Sequence, residues 1–340
     1  MSYATFTPIE VTKAHVLGCA YSQWYPKLKA HAVKSIILKP LPQEFLDYLA
    51  SDSIKLENEA HGVENNSDNE YSDWEDDLDG EDDGETAPTV TIDQLQALHD
   101  QIKAGIDKLG GAVTPKLNWS APKDARWIMA GNTTRCTSPN DVYLLLNASD
   151  HVVDDLDYPF SSVEEAGKSS QGVEDGTDKV EYELVLRKWM DINPALEFRV
   201  FVKDNRVLGI SQRDLNHYVF LEALQDELKQ VIEDFIYSQV VGQLGQSQYI
   251  VDVYVSRPSN KVYVVDVNPF SRKCDSLLYT WNELLVGVAP ELRLITETNV
   301  GRFAQKEYSE SQVPLDVVDA AGNSEAMVEL AREWAKLQAK

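Results

Sequence analysis

The sequence is short of the residues that build covalent or metal frameworks. Only three of its 340 residues are cysteine, Cys19, Cys136 and Cys274. They lie far apart and form no CxxC pair, which excludes a disulfide scaffold and a cysteine-rich zinc site and fits a reducing compartment. The six histidines show no metal-ligand spacing. Basic residues are also scarce: 31 Lys and Arg stand against 56 Asp and Glu, a formal net charge of -25. A nucleic-acid binder needs a basic footprint to neutralise phosphates, so no direct nucleic-acid partner is expected. A basic protein surface suits the acidic face better. No apolar run approaches the roughly 20 residues of a membrane helix. The opening residues MSYATFTPIEV lack the apolar core of a signal peptide. The expectation is a monomeric cytoplasmic protein, with the nucleus left open and no membrane partner.

Several catalytic motifs are missing too. There is no kinase glycine-rich loop, no HRD or DFG, and no GxSxG. Gly167-Lys168-Ser169 echoes a P-loop, but Ser162 stands where the upstream glycine is required and no strand signal precedes it.

What is present is room for two lobes and patterns that fill them. Apolar residues make up 43 % of the chain, ordinary for a globular core. Residues 64–85 hold twelve Asp or Glu and no Lys or Arg. They cannot bury enough apolar surface to offset ordering entropy and read as a disordered acidic insert. Ser67 and Ser72 each have an acidic residue three positions on, which suits acidophilic phosphorylation. Before the insert, residues 35–38 read as a strand, and Pro42 opens a helix that runs to Leu49.

After it, Thr91 and Gln94 form a capping box for a helix that Gly110 and Gly111 stop. A second helix starts at Ser138, with Pro139 first and Asp141 in the opening turn. A third is expected over about 221–244, on a stripe of Leu224, Leu228, Val231, Phe235 and Ile236. Strands are expected at 181–188, 197–202, 206–211, 249–255 and 261–267, with hairpin turns at Asp204-Asn205 and at 257–260. Hairpins mean antiparallel pairing, so the fold class is α+β rather than a doubly wound parallel sheet.

Asp252 and Asp266 interrupt otherwise apolar strands. A carboxylate among Val, Ile and Tyr is costly if buried without compensation. The two lie seven positions on either side of Ser259. A hairpin centred there puts them opposite each other on one face, with Asn268 two residues on. Two carboxylates and an amide oxygen suit a hard cation, and magnesium takes a few such ligands together with phosphates. A slip of one residue would separate the two Asp. A solvated outer face explains Asp252 as well, and spacing alone leaves both readings open. Cations that could meet phosphates occur in residues 115–124, which include Lys116, and in Arg187 and Lys188 beside Trp189, with Arg199 opening the next strand. Each singly is explained as a surface charge beside an apolar body; together they are a cationic cluster in an acidic protein.

These residues resemble the cell division cycle protein 123 family, assembly factors of eukaryotic translation initiation factor 2. The resemblance rests on Ser22-Gln23-Trp24-Tyr25-Pro26 and on residues 115–122, 182–189, 197–202, 209–214, 266–270 and 275–281. It spans roughly residues 19–281 outside the acidic insert. Ser53 stands where a glycine is common, and Ser271-Arg272 follows the Asn268-Pro269-Phe270 block.

The resemblance implies an ATP-grasp fold, two lobes of mixed antiparallel sheet and helices enclosing a nucleotide cleft. It divides the chain into the start of the first lobe (1–62), the acidic insert (63–88), the rest of that lobe (89–180), a second lobe with the metal site (181–300) and a tail (301–340). An amphipathic helix is expected in that tail at 324–337. Implied contacts to ATP are Lys116, Asn118, Trp119, Ser120, Ala121, Asp124, Arg187, Lys188, Trp189 and Arg199, with magnesium on Asp252, Asp266 and Asn268. The implied role is a chaperone that binds the gamma subunit of initiation factor 2 and promotes joining of the other subunits. An ATP-grasp ligase acting through an acyl phosphate is the alternative from the same site chemistry.

Overall fold

Strand register and helix caps settle the architecture. The structure is a computed structural model that describes residues 9–51, 92–163, 180–287 and 289–298. Thr91, Ser53, the acidic insert and the 301–340 tail, with its expected helix, lie outside the described residues.

In chain order the elements are α1 (Lys13–Gly18), α2 (Tyr21–Leu28), β1 (Ser35–Leu38), α3 (Gln43–Leu49), α4 (Ile92–Lys108), β2 (Val113–Lys116), α5 (Pro139–Asn147), α6 (Asp150–Asp157) and β3 (Leu184–Lys188). Then follow β4 (Glu197–Lys203), β5 (Arg206–Gln212), α7 (Val219–Glu222), α8 (Gln225–Phe235), β6 (Tyr249–Ser256), β7 (Lys261–Asn268), α9 (Trp281–Val286) and β8 (Leu292–Arg293).

Local chemistry explains most boundaries. Ser138 accepts the Asp141 amide and Asp141 accepts the Ser138 amide, the reciprocal cap expected for α5. Helix α4 ends where Gly110 and Gly111 take φ of 99° and 85°, a left-handed turn that glycine adopts without steric cost. Asp204 and Asn205 both have positive φ, as a two-residue turn between twisted strands requires. The long helix expected over 221–244 is instead two helices and a turn. Asp226 and Glu227 favour a fresh start for α8 at its N-terminus. A π turn over Ile236–Val240 ends it, ahead of Gly242 at φ 81°.

Two sheets result. The smaller has the order β1-β3-β2, all antiparallel. Helices α3 to α6 cover it, and a core built on Phe45, Ile102, Tyr143, Leu184 and Leu186 joins them. The larger has the order β7-β6-β4-β5-β8, antiparallel except that β8 runs parallel to β5. Its core gathers Phe198, Phe201, Val251 and Val253 with Ile232 of α8. Val16, Tyr21, Trp24 and Leu28 of α1 and α2 belong to that same core, so these two helices pack on the larger sheet before β1 crosses to the smaller one. The fold is α+β, two lobes of mixed sheet and helix with a cleft between them.

Candidate functional site: a cationic cleft between the lobes

A polar row runs across the larger sheet. Arg199 on β4 pairs with Asp252 on β6, and Asp252 pairs with Asp266 on β7. The hairpin turn alone does not give the second pairing. Near the turn, Ser256 meets Lys261 and Val253 meets Val264, a register that would place Val265 opposite Asp252. A β-bulge follows, and one extra residue on β7 brings Asp266 into place. Val265 and Asp266 therefore both line the cleft, which strict alternation would forbid. Asn268 lines it as well.

Asp252 is 3 % exposed and held by two arginines. Arg199 donates from Nε to Oδ1 at 2.8 Å and from Nη2 to Oδ2 at 2.9 Å, a bidentate pair. Arg213, just beyond β5, brings its Nε to 3.2 Å from Oδ2. Burial works to raise the Asp252 pKa, but Arg199 and Arg213 outweigh it and hold the carboxyl well below the usual carboxylate range. The third Arg199 nitrogen donates to the Asp275 carbonyl at 2.8 Å. Glu197 sits 3.5 Å from Arg213 and 3.9 Å from Lys123, tying those two cations to the base of the sheet.

Asp266 is compensated from the other lobe. Lys116, the last residue of β2, is fully buried, and its Nζ lies 2.6 Å from Asp266 Oδ1. Burial pulls the Lys116 pKa down, with Asp266 opposing that pull. Arg187 of β3 also reaches across, donating from Nη1 to the Val265 carbonyl at 3.4 Å.

The cleft has a volume of about 370 Å³. Five cations line it, Lys123, Arg187, Arg199, Arg213 and Lys273, against three carboxylates, Asp252, Asp266 and Asp275. In a chain of formal charge -25, that local reversal suits an anion. Trp119, Ser120 and Ala121 form its lip. Trp119 is anchored by its indole N–H on the Val16 carbonyl at 2.9 Å. Ser120 donates from its amide at 2.7 Å and from its hydroxyl at 3.0 Å to the carboxylate of Asp155. Burial pushes the Asp155 pKa up to about 6, against the lowering effect of the Ser120 bonds.

Five expected residues do not line this cleft: Lys116, which is buried against Asp266, and Asn118, Asp124, Lys188 and Trp189. The Asn118 side chain is used at 2.9 Å on the Glu181 carbonyl and at 3.0 Å on the Glu183 amide. Asp124 accepts from the Ser149 hydroxyl at 2.7 Å and the His151 amide at 3.3 Å, clamping the segment after β2 to the start of α6. Lys188 and Trp189 line a smaller adjoining cavity of about 130 Å³, with Val33, Met190, Tyr254 and Tyr263. Their own amides are taken by the carbonyls of Lys34 and Ala112 at 2.9 and 3.0 Å. Sequence reasoning missed Arg213, Lys273, Asp275 and Asp155, and named Lys123 only within the 115–124 run. Arg213 left a trace: it lies two residues after Ser211, which pairs with Arg199, so alternation aims it at the same face.

Residues 24–321 match the D123 family model. The chain belongs to the D123 family. It is 52 % identical over 352 residues to a protein of Candida albicans called translation initiation factor eIF2 assembly protein, covering 99 % of this chain and 98 % of that one. It is 47 % identical over 350 residues to cell division cycle protein 123 of Candida glabrata, covering 98 % and 95 %. The solved structure of Cdc123 from Schizosaccharomyces pombe superposes with a TM-score of 0.67 at 31 % identity, over 85 % of this chain and all of that one. The resemblance seen in the sequence blocks is thus borne out at the level of family and fold.

In this D123-family chain, magnesium is a group the resemblance implies, and the donor chemistry fits it. Asp252, Asp266 and Asn268 offer hard oxygens on adjacent strands, and magnesium takes such ligands beside phosphates. Among the described residues no group of three or more His, Cys, Asp or Glu is placed to hold a metal ion. Among the described residues no helix is long and apolar enough to cross a membrane.

Proposed function

We propose that the cleft binds ATP with magnesium in an ATP-grasp manner, and that the protein uses it as an assembly chaperone of translation initiation factor 2 in the cytoplasm. The observation that carries the nucleotide is the cationic cleft itself: five cations gathered around Asp252, Asp266 and Asn268 in an acidic chain. Lys123, Arg187 and Arg213 line the cleft and would meet the phosphates, Lys116 would reach them only on leaving Asp266, and Asp252, Asp266 and Asn268 would hold the metal. A bound magnesium ion supplies neutralisation of phosphate charge. The chain's own contribution is to seat the triphosphate between two lobes and keep bulk water from its charged end. The partner comes from the relatives, which carry the name of eIF2 assembly protein. The gamma subunit is the partner proposed, met as a monomer.

A second reading has an observation in its favour. A cavity of about 550 Å³ adjoins the cleft and shares Lys123 and Arg213 with it. A ligase needs such a place for its acceptor. One experiment separates the readings: ATP binding and ADP release, with and without the gamma subunit, in the wild type and in Asp266→Ala. The chaperone reading expects ATP binding that depends on Asp266 and little turnover with small carboxylates. Robust turnover with such a carboxylate overturns it, and undetectable ATP binding by the wild type overturns the nucleotide site as well.

A further inference from the structure

The two carboxylates of the site are neutralised in different ways, and the difference has a consequence. Asp252 is compensated within its own lobe, by Arg199 and Arg213 of the larger sheet. Asp266 is compensated across the cleft, by Lys116 at 2.6 Å. That ammonium is fully buried, and Asp266 is the only carboxylate within salt-bridge distance of it among the described residues. Its other neighbours are the Tyr21 ring at 5.6 Å, Asp155, which attracts it from beyond salt-bridge distance, and Arg187, which repels it. Among the described residues the carboxylate oxygen that faces Lys116 otherwise accepts only the Val267 amide, at 3.0 Å. A buried charge that loses its partner is costly, and that cost falls in full on Lys116 and in part on the 16 % exposed Asp266 side chain.

We infer that the Lys116–Asp266 pair makes the cleft selective for the metal–nucleotide complex over either free metal or free nucleotide. The inference rests on the reading of the cleft as a magnesium-ATP site. A cation that takes Asp266 by itself strands the Lys116 ammonium in a buried place. A triphosphate that takes Lys116 by itself strands Asp266. A ligand that brings an anion and a cation together satisfies both at once, and each half then favours the other by the same factor. The bulge at Val265 is part of the device, because it turns Asp266 towards Lys116 while Asp252 keeps its arginines. Lys116 and Asp266 are thus specificity-determining as a pair, beyond the separate contact each makes.

The test measures binding without turnover, on the full chain, with Mn²⁺ as a spin-active probe of the metal position. The wild type should bind free Mn²⁺ weakly and bind it at least about tenfold more tightly once a non-hydrolysable ATP analogue is present. In Lys116→Met, free Mn²⁺ should bind about tenfold more tightly than in the wild type, and the analogue should add little. In Asp266→Asn, the metal-free analogue in EDTA should bind about tenfold more tightly than in the wild type. Lys273→Met is the control: Lys273 lines the same cleft and makes no bond to Asp266. Free Mn²⁺ that binds Lys116→Met no better than the wild type, or an equal gain in Lys273→Met, refutes the pair as the selector. The Asp266→Asn arm decides the matter alone if Lys116→Met fails to fold. A wild type that binds neither Mn²⁺ with the analogue nor the analogue alone refutes the underlying nucleotide reading instead.

Discussion

Replacing Arg199 with methionine keeps the length of the side chain and deletes the guanidinium. Asp252 is left 3 % exposed with one of its two arginines gone. Breaking a buried ion pair by removing one partner costs about 3–5 kcal/mol. Arg213 stays, its Nε 3.2 Å from Oδ2, which sets the expectation at the lower end, about 3 kcal/mol.

The pH dependence has a definite sign. Burial works to raise the Asp252 pKa, but the arginines hold it below its ordinary value of about 3.9. The folded state therefore binds its proton less readily than the unfolded chain does. The pair's contribution is complete above the unfolded pKa and is lost as pH falls towards the folded one. The stability gap between wild type and Arg199→Met should be widest near neutrality and narrow below about pH 4.

Urea unfolding followed by tryptophan fluorescence measures the gap, since Trp24 is fully buried. The double variant Arg199→Met/Asp252→Asn removes both charges and should recover part of the loss at about pH 7. A loss under about 1 kcal/mol, or a gap that does not change between about pH 7 and about pH 3.5, refutes the claim that this pair keeps Asp252 ionised.

Three further outcomes are expected. Asn118→Ala leaves the Glu181 carbonyl and the Glu183 amide without their side-chain partner, and should lower unfolding stability by about 2 kcal/mol in the same assay. Asp155, with its pKa raised to about 6, makes the fold bind a proton more readily than the unfolded chain, so its contribution to stability grows as pH falls through about 6. Asp155→Asn should remove that slope, and carboxyl NMR of the wild type should show its midpoint there. A Cβ added at Gly209 would lie 2.5 Å from Cζ of Tyr279, whose hydroxyl is fixed on the Glu291 carbonyl at 2.6 Å. Gly209→Ala should therefore cost about 1–3 kcal/mol in thermal unfolding, because the ring has nowhere to move without giving up that bond.

The parts of this fold that a reader of the sequence can find are those whose causes are local. The Ser138–Asp141 cap is complete within four residues, and so is the Asp204-Asn205 turn, which is why both elements appear where the pattern puts them. The pairing of Asp252 with Asp266 was legible for a subtler reason. Counting seven residues either side of Ser259 gives the right partners only because it treats the hairpin as one residue longer than its turn makes it. The bulge supplies that residue, so the symmetry of the sequence already contained it. What stayed hidden is long-range. Lys116 and Asp266 are 150 residues apart, and no periodicity links them. Apolar residues in α1 and α2 announce a buried face without saying which sheet buries it.

The same limit explains why the cations of the cleft were not all found in the sequence. Lys123, Arg187, Arg199, Arg213 and Lys273 come from five separate places along the chain, and each alone resembles a charge beside an apolar body. Register across β4, β6 and β7 aligns Arg199 with the carboxylates, and the meeting of two lobes adds Lys116 and Arg187. The charge of the site is therefore a property of the tertiary fold. An overall charge of -25, read from composition, has the opposite sign to the surface that the proposed nucleotide would meet.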